Sequence, residues 1–165
     1  MSAPAAGDAA EPLAVLRGVD KTFDNGVTAL AGLDLDLREG ELLALLGPSG
    51  CGKSTALRLL AGLAAPTRGA VRWRGGRPPE IGFVFPEPTL MPWASVADNV
   101  WLPLRLRGAS RAQARARIDD ALRLVGLADF AAAYPGELSG GMKMRASLAR
   151  ALVTRPGVLL LDEPF

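Results

Sequence analysis

The chain alternates between two hydrophobic rhythms. Residues 13–19 (LAVLRGV) and 29–37 (ALAGLDLDL) have a period of two, with Leu33, Leu35 and Leu37 on one face and Asp34 and Asp36 on the other. That is the pattern of a half-buried sheet, and Asp24-Asn25-Gly26 supplies a turn between the two strands. Residues 41–47 (ELLALLG) differ, being apolar on both faces and ending in glycine, which predicts a central parallel strand. Leu57, Leu60 and Ala61 then fall at helical spacing. Short strands are predicted at 70–75 (AVRWRG) and 81–85 (IGFVF). Pro86, Pro88 and Pro92 follow within seven positions, so this stretch cannot continue a strand or helix.

A helix start is predicted at Ser95. The clearest helix lies within 110–127: Ser110 and Gln113 can form a capping box, Ile118, Ala121, Leu122 and Val125 make one stripe, and Gly126 ends it. Another follows residue 139, with Leu148, Ala151 and Leu152 read as its inner face and Pro156 as its stop. Residues 157–163 form a last buried strand ending in two acids. The order strand, loop, helix, helical block, helix, strand is an α/β fold with a helical insertion.

Length and composition narrow the class. The 165 residues suit one domain, and 49% hydrophobic against 22% charged residues supports a packed core. A net charge of +2 gives no argument for nucleic acid. The densest basic stretch, 105–117, interleaves arginine with alanine and reads as the solvated face of a helix. The lone Cys51 rules out an internal disulfide and fits a reducing compartment. Residues 1–12 lack the basic and apolar regions of a signal peptide and read as a flexible leader. No apolar run approaches the ~18 residues of a membrane span.

Three short motifs carry chemistry. Residues 47–55 (GPSGCGKST) match G-x-x-x-x-G-K-[ST], between an apolar run and a helix. Gly47, Gly50 and Gly52 let the loop, with Pro48, Ser49 and Cys51, turn its N–H groups inward as a nest for phosphate. Lys53 reaches the β and γ phosphates, Ser54 places a hydroxyl on Mg²⁺, and Thr55 serves the α phosphate. Cys51 is there either because it is small or as a redox site. Asp162 at a strand end suits a Mg²⁺-holding acid and Glu163 a general base. Alone, such a pair is usually a solvated strand end; the phosphate loop reverses the balance. Ser139 can cap a helix whose Gly140 and Gly141 leave N–H groups bare for an anion; an ordinary loop and cap is the alternative.

With these three motifs in this order, the sequence resembles the ATP-binding subunit of ABC transporters from about residue 13 onward. The resemblance implies a P-loop NTPase core with an N-terminal β subdomain and an inserted helical subdomain at about 88–138. It implies ATP with Mg²⁺ and a dimer in which Ser139, Gly140 and Gly141 complete the partner's ATP site. It further implies transmembrane permease subunits, a separate solute-binding protein, and a peripheral place on the cytoplasmic face of the membrane. Phe23 matches the aromatic that stacks on adenine, the alternative being a core phenylalanine. Residues 87–104 (EPTLMPWASVADNVWLPL) and 138–152 (LSGGMKMRASLARAL) look most like import cassettes for nitrate, sulfonate and taurine.

Two departures stand out. The stretch 81–96 falls at the family's Q-loop, which touches the transmembrane partner, and Pro86 stands where the family carries a glutamine. Proline offers no amide side chain, so weakened hydrolysis with intact nucleotide binding is expected. Trp93 and Trp101 flank this loop and either anchor a partner helix or pack internally. Secondly, the family continues past residue 165 with a D-loop, a strand and a switch histidine, and the sequence has no histidine. A truncated or degenerate cassette, poorly stable and slow, is the corresponding expectation. An ABC ATPase of DNA repair would need a long coiled coil or a basic duplex-binding face, and neither is present.

Overall fold

The computed structural model describes residues 11–163, so the leader expected over 1–12 falls outside the described residues except for its last two. The chain divides into two compact units, Met1–Pro78 and Pro79–Phe165.

In the first unit, β1 (Ala14–Thr22), β2 (Thr28–Leu37) and β3 (Arg68–Trp73) form an antiparallel sheet in the order β2-β1-β3. The hairpin turn is the predicted one, with Gly26 at φ 81°. Ala14 and Leu16 are buried on alternate positions, which would bring Gly18 inside next. A bulge changes the phase. Leu16 pairs with Leu35 and Val19 with Leu33, so three steps along β1 match two along β2 and Val19 takes the buried place. Gly18, at φ 54°, donates its N–H to Asp34 Oδ1 at 2.7 Å. Asp36 pairs with Arg17, whose hydrogen bond holds the carboxyl below its usual range. On the other side of the bulge, a Cβ at Gly69 would lie 2.6 Å from the Gly18 carbonyl carbon.

Helix α1 (Lys53–Leu60) buries Ala56, Leu59 and Leu60. The inner face is therefore turned from the predicted one, and Leu57 and Ala61 are only half-buried. In a two-turn helix, the seating of the first turn outweighs apolar spacing. A larger correction concerns residues 41–47. They form no strand, and Leu42 and Leu46 are more than nine-tenths exposed. An apolar pattern states that a segment needs cover on both faces but does not supply the cover. No strand of this unit pairs with it.

The second unit runs β4 (Ile81–Val84), α2 (Val96–Leu106), α3 (Arg111–Leu124), α4 (Gly140–Leu152) and β5 (Val158–Leu161). β4 and β5 pair in parallel, Ile81 with Val158 through Val84 with Leu161. The predicted helix ends are all present. Ser95 accepts from Asp98 N–H, and Ser110 and Gln113 form the full capping box. Gly126, at φ 67°, closes α3, with Leu127 N–H bonded to Leu122 O. The core joins Val96, Val100 and Leu104 of α2 to Ile118 and Leu122 of α3, Ala146 and Ala149 of α4, and Val153 just after it. The inner face of α4 is thus made largely of alanines, while the expected Leu148 and Leu152 are half-buried. Small side chains let α4 approach closely, and the leucines fill its flanks.

α3 and α4 also cap one another. Arg117 of α3 donates to Val153 O at the end of α4 (2.6 Å), and Arg145 of α4 donates to Val125 O at the end of α3 (2.9 Å). Each cation serves carbonyls that the partner helix leaves unsatisfied. Arg117 is the exception to the solvated face expected over 105–117.

The bulge gives a test of the first unit. Gly69→Ala meets backbone as well as a left-handed φ of 76°, whereas Gly75→Ala has a φ of 78° and open space. Gly75→Ala should cost about 1 kcal/mol and Gly69→Ala at least ~2 kcal/mol more in urea unfolding. Equal costs would contradict the close approach.

Candidate functional site

The glycine-rich loop is shaped by three different demands. Cys51 N–H bonds to Pro48 O at 3.3 Å, closing a turn with Gly50 at φ 79°. A Cβ at Gly47 would stand 2.7 Å from Cys51 Sγ. Gly52, at φ 97°, is the N-cap of α1 and offers no side-chain cap. A Cβ there would run into the carbonyl oxygen of Ala29 and lie 2.7 Å from Leu30 Cδ2, both on β2. The helix start is thereby pressed against the sheet. The first helical bond is Ala56 N–H to Gly52 O, so the amides before it point out of the helix end. No acidic residue lies in that turn. The field there favours an anion.

Lys53 Nζ bonds to Gly47 O (2.9 Å) and Pro48 O (3.0 Å) and lies 3.9 Å from Cys51 Sγ. The ammonium is thus folded over the loop it serves. Ser54 and Thr55 follow on the first turn, half-buried, while Pro48, Ser49 and Cys51 are exposed. Phe23 sits at the β1–β2 turn, 41% exposed, with Lys21 Nζ 5.4 Å from its ring centre. It is not a core phenylalanine.

In the second unit, Asp162 directly follows β5, is 1% exposed, and bonds through its N–H to Val84 O. Glu163 is exposed and has a φ of 48°, uncommon for a residue with a side chain. Ser139 caps α4, accepting from Met142 N–H at 3.3 Å. Gly140 and Gly141 are exposed, and a Cβ at either would meet nothing. Their absence of side chain keeps the helix end open and is not a packing need.

The proline loop after β4 is more ordered than its sequence suggests. Pro86 is exposed at its start, beside Phe85, whose ring lies 4.4 Å from that of Phe83. The fully buried Asn99 of α2 accepts from Met91 N–H and donates to Met91 O, Ala94 O and Ser95 O. Sequence reasoning missed it; the signal was an amide among the apolar positions Val96, Val100 and Leu104. The two tryptophans separate. Trp101 packs on the helical core and donates to Ala109 O at 3.1 Å, between Arg105 and Arg111, whereas Trp93 is 76% exposed.

Comparison with known proteins agrees with this geometry. A taurine import ATP-binding protein of Pseudomonas aeruginosa is 50% identical over 140 residues, covering 82% of this chain and 53% of the relative. A spermidine/putrescine import ATP-binding protein of Thermobifida fusca is 45% identical over 166 residues, covering 94% and 43%. The chain spans about half the length of these relatives. Among solved structures, the dimeric post-hydrolysis cassette MJ0796 bound to ADP and Pi superposes with a TM-score of 0.84 at 36% identity, covering 92% of this chain and 74% of that one. The cbiO1 protein of Clostridium perfringens gives 0.80 at 28% identity. The fold is the P-loop NTPase fold of these cassettes. A family model described as ABC transporter matches residues 30–165, and the chain belongs to that family.

Proposed function

We propose that the chain is the ATP-binding and ATP-hydrolysing part of an ABC-type importer. The observation that carries this reading is the seat of Gly52 on β2, which leaves the uncapped end of α1 beside the glycine-rich loop whose carbonyls hold the Lys53 ammonium. Residues 13–165 would be the ATP-binding domain, with 88–138 its helical part.

In this reading Gly47 to Gly52 wrap the phosphates with backbone N–H groups, and Lys53 exchanges its loop carbonyls for phosphate oxygens. Thr55 binds the α phosphate and Phe23 stacks on adenine. The hydroxyl of Ser54 and, through water, the buried carboxylate of Asp162 are the hard oxygen donors that would hold Mg²⁺. Bound there, Mg²⁺ would neutralise phosphate charge. Glu163 orients the attacking water and accepts its proton. Its left-handed backbone is the kind of local cost that recurs at functional sites. Ser139, Gly140 and Gly141 serve the nucleotide of a second copy, and the dimeric cassette of 36% identity supports that arrangement.

The import direction is supported by relatives named as import ATP-binding proteins for taurine, for spermidine/putrescine and for sulfate/thiosulfate. The taurine relative supports a nitrate, sulfonate or taurine-like solute. Among the described residues no helix is long and apolar enough to cross a membrane. Transmembrane permease subunits and a solute-binding protein are proposed as partners, with this chain on the cytoplasmic face.

Lys53→Ala should reduce ATP affinity at least tenfold in equilibrium binding. Undiminished affinity would contradict the assignment. The exposed Pro86 favours a second reading, in which ATP is bound but turned over slowly, because this position offers no amide. Pro86→Gln should then raise ATP turnover severalfold at unchanged ATP affinity. Turnover that stays the same would remove this reading.

A further inference from the structure

The loop after β4 is held by two devices on different helices. Asn99 of α2 fixes residues 91–95. Residues 88–89 are fixed from α4, by Arg150. Its Nη1 donates to Thr89 O (2.8 Å), and its Nη2 to Pro88 O (3.0 Å) and Thr89 Oγ1 (2.7 Å). Ser147 Oγ, itself buried, lies 3.5 Å from the same nitrogen. Thr89 has a φ of 46°, a left-handed conformation costly for a β-branched residue. Three bonds from one planar guanidinium converge on that turn. Nothing else among the described side chains bonds to Pro88 or Thr89.

We propose that Arg150 is a positioning residue that ties the loop at 88–89 to the helix bearing Ser139, Gly140 and Gly141, so that loop and helix move as one body. Along α4, Arg150 stands about 16 Å from Ser139 at the usual helical rise. A helix transmits displacement over that length with little bending. The guanidinium is the suitable group, because its fork reaches several acceptors at once and keeps its charge when partly buried. Burial lowers its pKa, but from so high a value that it stays protonated at any ordinary pH. A lysine has the charge without the fork.

The functional part of this inference rests on the reading of Ser139 to Gly141 as a nucleotide-contacting end; the clamp itself does not. Arg150→Lys should speed amide hydrogen exchange at residues 87–90 at least tenfold, while the α3 amides keep their protection. Affinity for ATP should stay within twofold, and kcat for ATP should fall at least tenfold at unchanged KM. Thr89→Val, which removes only one acceptor at the surface, should give the same pattern more weakly and serves if Arg150→Lys does not fold. Unchanged exchange at 87–90, or protection lost equally in α3, would overturn the clamp. A loosened loop with unchanged kcat would overturn the positioning role. If the unaltered protein binds no ATP, the proposed function fails, while the exchange data still decide the clamp.

Discussion

Helix α1 begins so close to β2 that one methyl group at residue 52 does not fit. Most of what the first unit offers chemically depends on this approach. With glycine there, the chain takes a left-handed turn against the carbonyl of Ala29 and enters the helix at once. The helix end is then uncapped by any side chain, and its field falls on the loop 47–52. Lys53, first residue of the helix, is brought back over the same loop. A larger residue at 52 would push the helix start away from the sheet and disperse donors that work only when they converge.

The second unit solves a different problem. It carries the acids after β5 and the open start of α4, the two ends proposed to serve nucleotide, on elements that must keep their shape. Alanines at 146 and 149 let α4 lie close to its neighbours. In the arginine exchange between α3 and α4, each helix bonds a carbonyl at the end of the other. Asn99 supplies four hydrogen bonds from a fully buried position, which an apolar residue of the same size would leave unmade. The loop after β4 is thereby an ordered part of the helical unit despite its prolines.

Local signals were legible in the sequence where the chain itself supplies the partner. The hairpin turn at 24–26, the caps at Ser95, Ser110 and Ser139, the α3 stripe and its Gly126 stop all depend on neighbours a few residues away. The turns of the glycine-rich loop were legible for the same reason, being closed by its own residues. What failed depends on distant partners. Residues 41–47 advertise a buried strand, but no strand of their unit covers them. The Gly18 bulge shifts the phase of β1, and simple alternation does not show it. The inner face of α4 was misjudged in part: Ala151 is buried as expected, but Ala146 and Ala149 rather than Leu148 and Leu152 complete the face, because close packing selected the smaller residue. The roles of Arg150 and Asn99 lie in bonds to a loop outside their own helices, and only the fold shows what they hold.

Membership of the ABC transporter family and the geometry of the loop support the same account from different directions. Likeness gives the family, and the seat of Gly52 gives a physical reason for the nucleotide binding proposed for this chain. Equilibrium binding of Mg-ATP to Gly52→Ala beside the unaltered protein tests that directly, with amide exchange of β1–β3 read on the same samples. The account predicts affinity reduced at least tenfold while the β1–β3 sheet keeps its protection. Equal affinity in the two proteins would contradict it.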